Sequence, residues 1–143
     1  MTMSDWAMVK RPIPVPNDLT EPYWEAAKQG VLALQRCQKC ERYNHPPQLT
    51  CPHCMARDLK FEPVSHKGTI YSYTIKHQAD KRFDPVLPYA CVVVEIDGTG
   101  GAALVGNLLG VPYAEAKIGN RVEVVFEKIN DDITLPQFQL AKE

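Results

Sequence analysis

The chain has 143 residues, of which 45% are hydrophobic and 23% are charged, and its net charge is −1. These values are ordinary for one soluble domain or a small domain with an appended module, and the neutral balance argues against a dedicated nucleic-acid binder. No apolar run approaches the ~20 residues that span a bilayer, and the N-terminal residues lack the pattern of a signal peptide. We therefore expect a cytoplasmic protein that does not enter a membrane.

Residues 1–30 are predicted to form an N-terminal arm followed by a short helix. Alternating prolines near the end of the arm exclude helix there and favour an extended conformation. The arm carries apolar side chains such as Trp6, so it is either disordered or docked on its own domain or a partner, and we favour docking. The helix is predicted between residues 20 and 30, with a buried stripe of Tyr23, Trp24 and Ala27.

Two Cys-x-x-Cys motifs separated by ten residues are the most specific pattern in the chain. They comprise Cys37, Cys40, Cys51 and Cys54. Each motif turns the chain so that two sulfurs face one point, and four thiolates complete the tetrahedral shell of a structural Zn²⁺ without an open position for substrate. A pair of disulfides is the alternative, which a reducing cytoplasm disfavours. The fifth cysteine, Cys91, is interpreted as a small buried hydrophobic residue because it lies in an apolar run.

The zinc ribbon is predicted over residues 31–62, with one strand leading into the first motif and a second short strand between the motifs. From residue 63 to residue 143 the hydrophobic pattern changes to a period of two. Five strands are predicted there, at residues 68–76, 89–96, 102–107, 121–127 and 133–140. Hairpin connections and one longer crossover favour a barrel of the OB type, and a small β-sandwich is the competing fold. The predicted fold class is therefore mainly β, with a short N-terminal helix, a zinc ribbon and a five-stranded OB-fold barrel.

The order of these motifs resembles that of a known family. The residues that carry the resemblance are the Tyr23-Trp24 helix, Leu34-x-Arg36-Cys37-x-x-Cys40, Pro46-Pro47, Cys51-Pro52-x-Cys54, Gly68-Thr69-Ile70-Tyr71-Ser72-Tyr73-Thr74, Pro88-Tyr89 and Ile118-Gly119-x-x-Val122. The pattern is similar to that of small proteins in which a rubredoxin-like zinc ribbon is joined to an OB-fold, found beside thiolase-like acyl-CoA enzymes. The resemblance covers nearly the whole chain after the arm.

The resemblance implies a non-catalytic accessory or scaffold subunit in a hetero-oligomer. Its partner would be a thiolase-fold acyl-CoA enzyme of lipid or steroid metabolism, such as a thiolase, acyltransferase, hydratase or aldolase, and the subunit would help to hold the acyl-CoA. The family has no agreed catalytic residues, and no catalytic residue is predicted here. A nucleic-acid-binding zinc-ribbon and OB protein is the alternative, which the sequence pI of 6.4 opposes.

Charge is unevenly distributed and suggests where coenzyme A or a partner would bind. Residues 36–82 hold 9 Lys/Arg against 4 Asp/Glu, whereas residues 83–143 hold 4 against 9. CoA presents phosphates and an adenine, which require cations beside an aromatic or apolar shelf. The candidate contact residues are Trp24, Arg36, Lys39, Arg42, Tyr71, Tyr73, Lys76, Lys81, Arg82 and Phe83. For each of them, packing in the core or a solvated charge is the competing interpretation.

Overall fold

The computed structural model describes residues 3–142 and is built mainly from β-strands. Its α-helices are α1, Met3–Ala7, and α2, Glu21–Lys28. The strands of the described residues are β1 Ala33–Cys37, β2 Tyr43–Asn44, β3 Leu59–Pro63, β4 Lys67–Lys76, β5 Tyr89–Ile96, β6 Ala103–Asn107, β7 Arg121–Lys128 and β8 Thr134–Leu140. Short 3-10 helices occupy Lys81–Val86 and Tyr113–Glu115. Within residues 3–142, no helix has the length and apolar character that crossing a membrane requires.

The strands form two antiparallel sheets. The small sheet has the order β2-β1-β3, and the large sheet has the order β6-β5-β4-β7-β8. A β-bulge between Ile70 and Ser72 bends β4, so that this strand pairs with β5 along its length and with β7 only near its start. The predicted mainly β fold with five barrel strands is confirmed. The strand β3 was not predicted, although residues 59–62 alternate between apolar and charged side chains.

The large sheet curls until its two edge strands meet. A parallel bridge joins Leu108 to Phe138, and the N–H of Leu109 donates to the carbonyl of Phe138 at 2.8 Å. The contact depends on Gly106, where a Cβ would lie only 2.8 Å from Cε2 of Phe138 and 3.0 Å from Oε1 of Gln137. Glycine is therefore needed where β6 and β8 cross.

The small sheet and the barrel share one hydrophobic core. Val92 and Val94 of β5 and Ile70 of β4 fill its centre, and Leu32 and Leu34 lie in the same cluster. Leu34 belongs to β1, and Leu32 immediately precedes that strand. Burying each leucine stabilises the fold by roughly 1.5–3 kcal/mol. The ribbon is therefore attached to the barrel through side chains of β1 as well as through the chain itself.

Helix α2 packs against β1 and β8. Ala27 is fully buried, as predicted, whereas Tyr23 and Trp24 are only partly buried. Tyr23 stacks on the ring of His45 in the ribbon, with 5.3 Å between ring centroids. Burial lowers the pKa of His45, so its neutral form is the one that suits this stacked position. The helix thus holds the ribbon and the barrel together from one side.

The N-terminal arm folds back on its own barrel. Helix α1 at residues 3–7 was not predicted, and the prolines that favour an extended conformation begin only at position 12. The Trp6 side chain is 1% exposed and meets Tyr89 edge-on, with ring centroids 5.1 Å apart. Beyond the helix, the Arg11 guanidinium lies 5.1 Å from the centre of the Trp6 ring and forms a 2.8 Å ion pair with Glu127. An aromatic contact and a largely buried ion pair therefore hold the arm.

Replacing Trp6 with alanine is expected to lower the free energy of unfolding by about 2–4 kcal/mol, because the buried contacts of the indole ring are lost. The arm can then detach from the barrel. Met8 is 68% exposed on the same arm, so Met8→Ala should change stability by less than about 0.5 kcal/mol. Urea unfolding of both variants measures the difference. Equal losses would show that the arm does not dock through Trp6.

Replacing Gly106 with alanine is expected to destabilise the protein by about 1–3 kcal/mol, because the new methyl group would collide with Phe138 where the barrel closes. Val105→Thr, an exposed change on the same strand, is the control and should have little effect. Thermal unfolding of the pair measures the difference. An unchanged Gly106→Ala protein would contradict the close crossing of β6 and β8.

Candidate metal centre and the surface around it

Two similar turns bring the four cysteines together. In the first turn, the N–H of Glu41 donates to the carbonyl of Cys37 at 2.9 Å, and in the second the N–H of Met55 donates to the carbonyl of Cys51 at 2.9 Å. Glu41 and Met55 each follow the second cysteine of their motif, and both adopt a φ of 66°. Each Cys-x-x-Cys segment is therefore folded into the same turn, and the two turns face each other at the end of β1.

The four thiol sulfurs lie at the spacing of a metal site. All four Sγ atoms are within 4.8 Å of one another. The distance between Sγ atoms is 3.5 Å for Cys37 and Cys54 and 3.7 Å for Cys40 and Cys51. Zn–S bonds of about 2.3 Å in a tetrahedron place the sulfurs roughly 3.8 Å apart, whereas a disulfide requires about 2.05 Å. The donor set and its spacing fit a structural Zn²⁺ and do not fit disulfides.

Backbone N–H groups favour thiolates at this site. The N–H of Cys40 points at the sulfur of Cys37 from 3.5 Å, and this hydrogen bond lowers the pKa of Cys37. Burial raises the pKa of Cys51, but the N–H groups of Cys54 and His53, together with hydrogen bonds to the Cys40 and Cys37 side chains, outweigh it and bring the pKa to about 6. Although the N–H of Arg42 lowers the pKa of Cys40, burial and the neighbouring thiols raise it to about 11. Four ionised sulfurs at this spacing need a cation between them.

The candidate CoA or partner residues of the ribbon lie beside the first cysteine motif. The Arg36 guanidinium lies 4.9 Å from the centre of the Tyr43 ring and 3.7 Å from the Glu62 carboxylate. Arg36 is therefore already engaged within the ribbon. Lys39 and Arg42 are exposed, which leaves their charges accessible to a ligand or a partner.

The other candidates lie on α2, on β4 and on the 3-10 helix that follows β4. Tyr71, Tyr73 and Lys76 of β4 are exposed, and so is Lys81. Arg82 forms an ion pair with Asp80 at 2.9 Å, and its hydrogen bonds lower the pKa of that carboxyl group. Phe83 packs against Tyr89 at 5.8 Å, in the cluster that holds Trp6. With Trp24 on α2, the ten candidates are spread over α2, the ribbon, β4 and the 3-10 helix at Lys81–Val86.

A groove of about 710 Å³ between the ribbon and the β5–β6 turn was not predicted. Its ribbon side includes Arg42, Asn44 and His53, and its barrel side is the turn at residues 99–103. Asn44 is 4% exposed, and neither its Nδ2 nor its Oδ1 has a hydrogen-bond partner among the described residues. An asparagine in a proline-rich loop is typical of an ordinary turn, so nothing in the sequence distinguished this buried one.

Removing the metal is expected to unfold the ribbon, because a structural Zn²⁺ contributes on the order of 10 kcal/mol to a small module. Chelation or Cys40→Ser should abolish stoichiometric zinc binding, which atomic absorption measures. Either change should also abolish the hydrogen-exchange protection of β1–β3. Strands β4–β8 should keep their sheet but become less protected, because Leu32 and Leu34 belong to their core.

Cys91→Ser is the control for loss of a thiol, since this side chain lies on β5 outside the metal site. It should retain one zinc per chain and a protected ribbon. A metal-free wild-type chain with an equally protected ribbon would contradict the structural role of zinc.

Models of two known domains match adjacent parts of the chain. Residues 24–60 match the rubredoxin-like zinc ribbon domain of ChsH2, and residues 61–127 match the C-terminal OB-fold domain of ChsH2. Among solved structures, a chain of the Ltp2-ChsH2(DUF35) aldolase has a TM-score of 0.78 and 34% identity, over 90% of this chain and 98% of that one. A DUF35-family protein of unknown function from Sulfolobus solfataricus shares the fold, with a TM-score of 0.64 and 17% identity, over 87% of each chain.

The similar proteins with curated descriptions include a scaffold protein and an enzyme subunit. A DUF35 domain-containing scaffold protein of Methanocaldococcus jannaschii is 33% identical over 112 residues, which are 76% of this chain and 77% of the relative. A probable enoyl-CoA hydratase alpha subunit of Thermomonospora curvata is 36% identical over 132 residues. These residues are 92% of this chain, which spans only 40% of the length of that subunit.

A four-cysteine zinc ribbon that shares its core with a five-stranded barrel defines a zinc-ribbon and OB-fold protein. The chain belongs to the DUF35 family, in which a ChsH2-type zinc ribbon precedes an OB-fold domain. The family resemblance inferred from the order of the sequence motifs is therefore confirmed.

Proposed function

We propose that the protein is a non-catalytic accessory subunit that binds a thiolase-fold acyl-CoA enzyme and helps to hold the acyl-CoA. The observation that carries this proposal is the likeness to a chain of the Ltp2-ChsH2(DUF35) aldolase, which extends over 98% of that chain at 34% identity. The descriptions of a scaffold protein and of a hydratase alpha subunit among the relatives support the same role.

The metal centre supports a structural role. A tetrahedral shell of four sulfurs has no open position at which zinc could activate water or polarise a carbonyl. Cys37 and Cys51 are buried, so those two sulfurs are not accessible to a substrate. We therefore propose that Cys37, Cys40, Cys51 and Cys54 are the zinc ligands and that the metal fixes the shape of the ribbon.

Exposed apolar side chains at the second cysteine motif support partner binding. Leu49 and Met55 are 79% and 74% exposed, one on each side of the motif. Leu49 also borders a shallow groove with Leu59 and Phe61 of β3. Apolar side chains clustered on a protein surface mark sites of protein association. This part of the ribbon is therefore the surface at which we expect the partner enzyme to dock.

Affinity purification of the tagged chain from its source cell is expected to recover a thiolase-fold acyl-CoA enzyme, identified by mass spectrometry. Leu49→Asp together with Met55→Asp should reduce its recovery about tenfold or more, because charges replace exposed apolar contacts. Val105→Asp makes a similar change on an exposed barrel residue and should leave recovery unchanged. Recovery of no acyl-CoA enzyme would refute the accessory role.

Binding of single-stranded nucleic acid is the second candidate. The observation that favours it is the exposure of Tyr71, Tyr73 and Lys76 on β4, because OB-folds stack bases on aromatic side chains of their barrel face. Fluorescence anisotropy with a labelled oligonucleotide tests it. Salt-dependent binding at micromolar concentration that is lost in Tyr71→Ala would favour this function, and no binding at low salt would eliminate it.

A further inference from the structure

A groove of about 410 Å³, called here the arm groove, lies between the proline-rich part of the N-terminal arm and helix α2. Its third wall is the turn between β7 and β8, at residues 130–133. More than half of its lining residues are apolar or proline: Ile13, Pro14, Val15, Pro16, Trp24 and Ile133. The Ile13 and Val15 side chains are 48% and 88% exposed, so a binding partner can reach them.

The arm side of the groove is held at both ends. Before it, Arg11 forms the 2.8 Å ion pair with Glu127. After it, the Asn17 side chain accepts two backbone N–H groups at the start of α2, at 2.9 and 3.0 Å. Prolines at positions 12, 14 and 16 restrict the backbone between these anchors. The exposed apolar side chains of this segment therefore meet a partner with little loss of conformational entropy.

Trp24 forms the aromatic wall of the arm groove. It is only partly buried, and its ring is nearly perpendicular to that of Tyr23, with 5.0 Å between ring centroids. This contact fixes the orientation of the indole. The face of an indole ring attracts a guanidinium or ammonium group. Glu21 precedes Trp24 by three residues on α2, so their side chains lie on the same face of the helix.

The charged side chains that line the arm groove are mostly acidic. Glu21 and Glu25 line it from α2 and Asp132 from the turn, against one cation, Lys28. Lys28 lies 3.9 Å from Glu25, whereas neither Glu21 nor Asp132 forms an ion pair within the described part of the chain. Both of these side chains are exposed. The groove therefore complements a cationic ligand and disfavours the phosphates of coenzyme A or a nucleic acid.

The arm groove adjoins the surface at which we expect the partner enzyme to dock. Glu21 lines the arm groove, and the next residue, Pro22, lines the shallow groove that Leu49 borders. The two grooves therefore meet at the first turn of α2. A partner that contacts Leu49 and extends over this turn reaches the arm groove.

We propose that the arm groove binds a basic segment of the partner enzyme, with an arginine side chain over Trp24 and paired with Glu21. A guanidinium can stack on an indole ring and donate hydrogen bonds to a carboxylate at the same time. Apolar neighbours of that arginine pack on Ile13 and Val15. The proposal rests on the proposed function only in that the segment belongs to the partner enzyme.

A random nonapeptide library displayed on phage tests the proposal. It is selected against the zinc-loaded full chain and depleted on the double variant Glu21→Gln with Asp132→Asn. The enriched peptides should carry arginine beside apolar residues, and synthetic copies should bind the double variant about tenfold or more weakly, because two carboxylates are lost. The melting temperature should not change, because both side chains are exposed and unpaired.

Tryptophan fluorescence places the bound peptide. The chain has two tryptophans, and Trp6 is 1% exposed, so binding in the arm groove should change the emission of Trp24. The same change should be seen in Trp6→Phe, in which Trp24 is the remaining indole. Peptides that bind without changing this emission lie elsewhere and would contradict the proposal.

Asp84→Asn with Glu115→Gln is the matched control, because both are exposed acidic residues that do not line the arm groove. It should leave the affinity for the peptides unchanged. The proposal is overturned if no peptide survives depletion or if the surviving peptides lack basic residues. Self-association of the free chain that the groove variant abolishes would assign the groove to a second copy of the chain and overturn it as well.

The two proposals can fail separately. The groove variant should lower recovery of the acyl-CoA enzyme from the source cell, and the control variant should not. Full recovery by the groove variant would show that the enzyme does not supply the segment, while docking at Leu49 and Met55 would stand. Recovery of no acyl-CoA enzyme, with basic peptides still bound over Trp24, would refute the accessory role and leave the groove as a site for a basic segment.

Discussion

Strand β1 is the element on which both halves of the molecule depend. Leu34 lies in the core of the barrel, and Cys37, three residues later on the same strand, lies in the metal centre. Zinc and the hydrophobic core therefore fix the same five-residue strand from its two ends. Because β2 and β3 pair on either side of β1, the position of the whole small sheet relative to the barrel follows from this one strand.

This coupling explains how a structural metal would serve the proposed binding of a partner. The ribbon carries its exposed apolar residues, Leu49 and Met55, on short turns that have little packing of their own. Hydrogen bonds inside the two cysteine turns and a common metal hold these segments, while α2 braces the ribbon through Tyr23 and His45. A surface held in this way loses little conformational entropy when it meets a partner.

Local features of the sequence predicted the parts of the fold that local chemistry determines. The spacing of the cysteines and the alternation in the five barrel strands, such as Arg121–Lys128, were sufficient for the ribbon and the barrel. Tertiary contacts decided the rest. Helix α1 is stabilised by the docking of Trp6 on Tyr89, and β3 forms because β1 lies beside it. Neither contact is visible in a short stretch of sequence, because both join residues that are distant along the chain. The candidate basic and aromatic residues were chosen by type, and their distribution over α2, the ribbon and β4 depends on topology alone.

Among the described residues, the buried side-chain atoms without hydrogen-bond partners belong to Trp6 and Asn44. Burial of these two side chains has different effects on stability, because their surroundings differ. The Trp6 indole lies among apolar side chains of the barrel, where burial of its large ring and the nearby Arg11 guanidinium offset one unpaired N–H. Asn44 has only a small side chain to bury, so the packing of apolar surface cannot offset two unpaired atoms. Burial of Asn44 therefore lowers the free energy of unfolding, whereas burial of the Trp6 ring raises it.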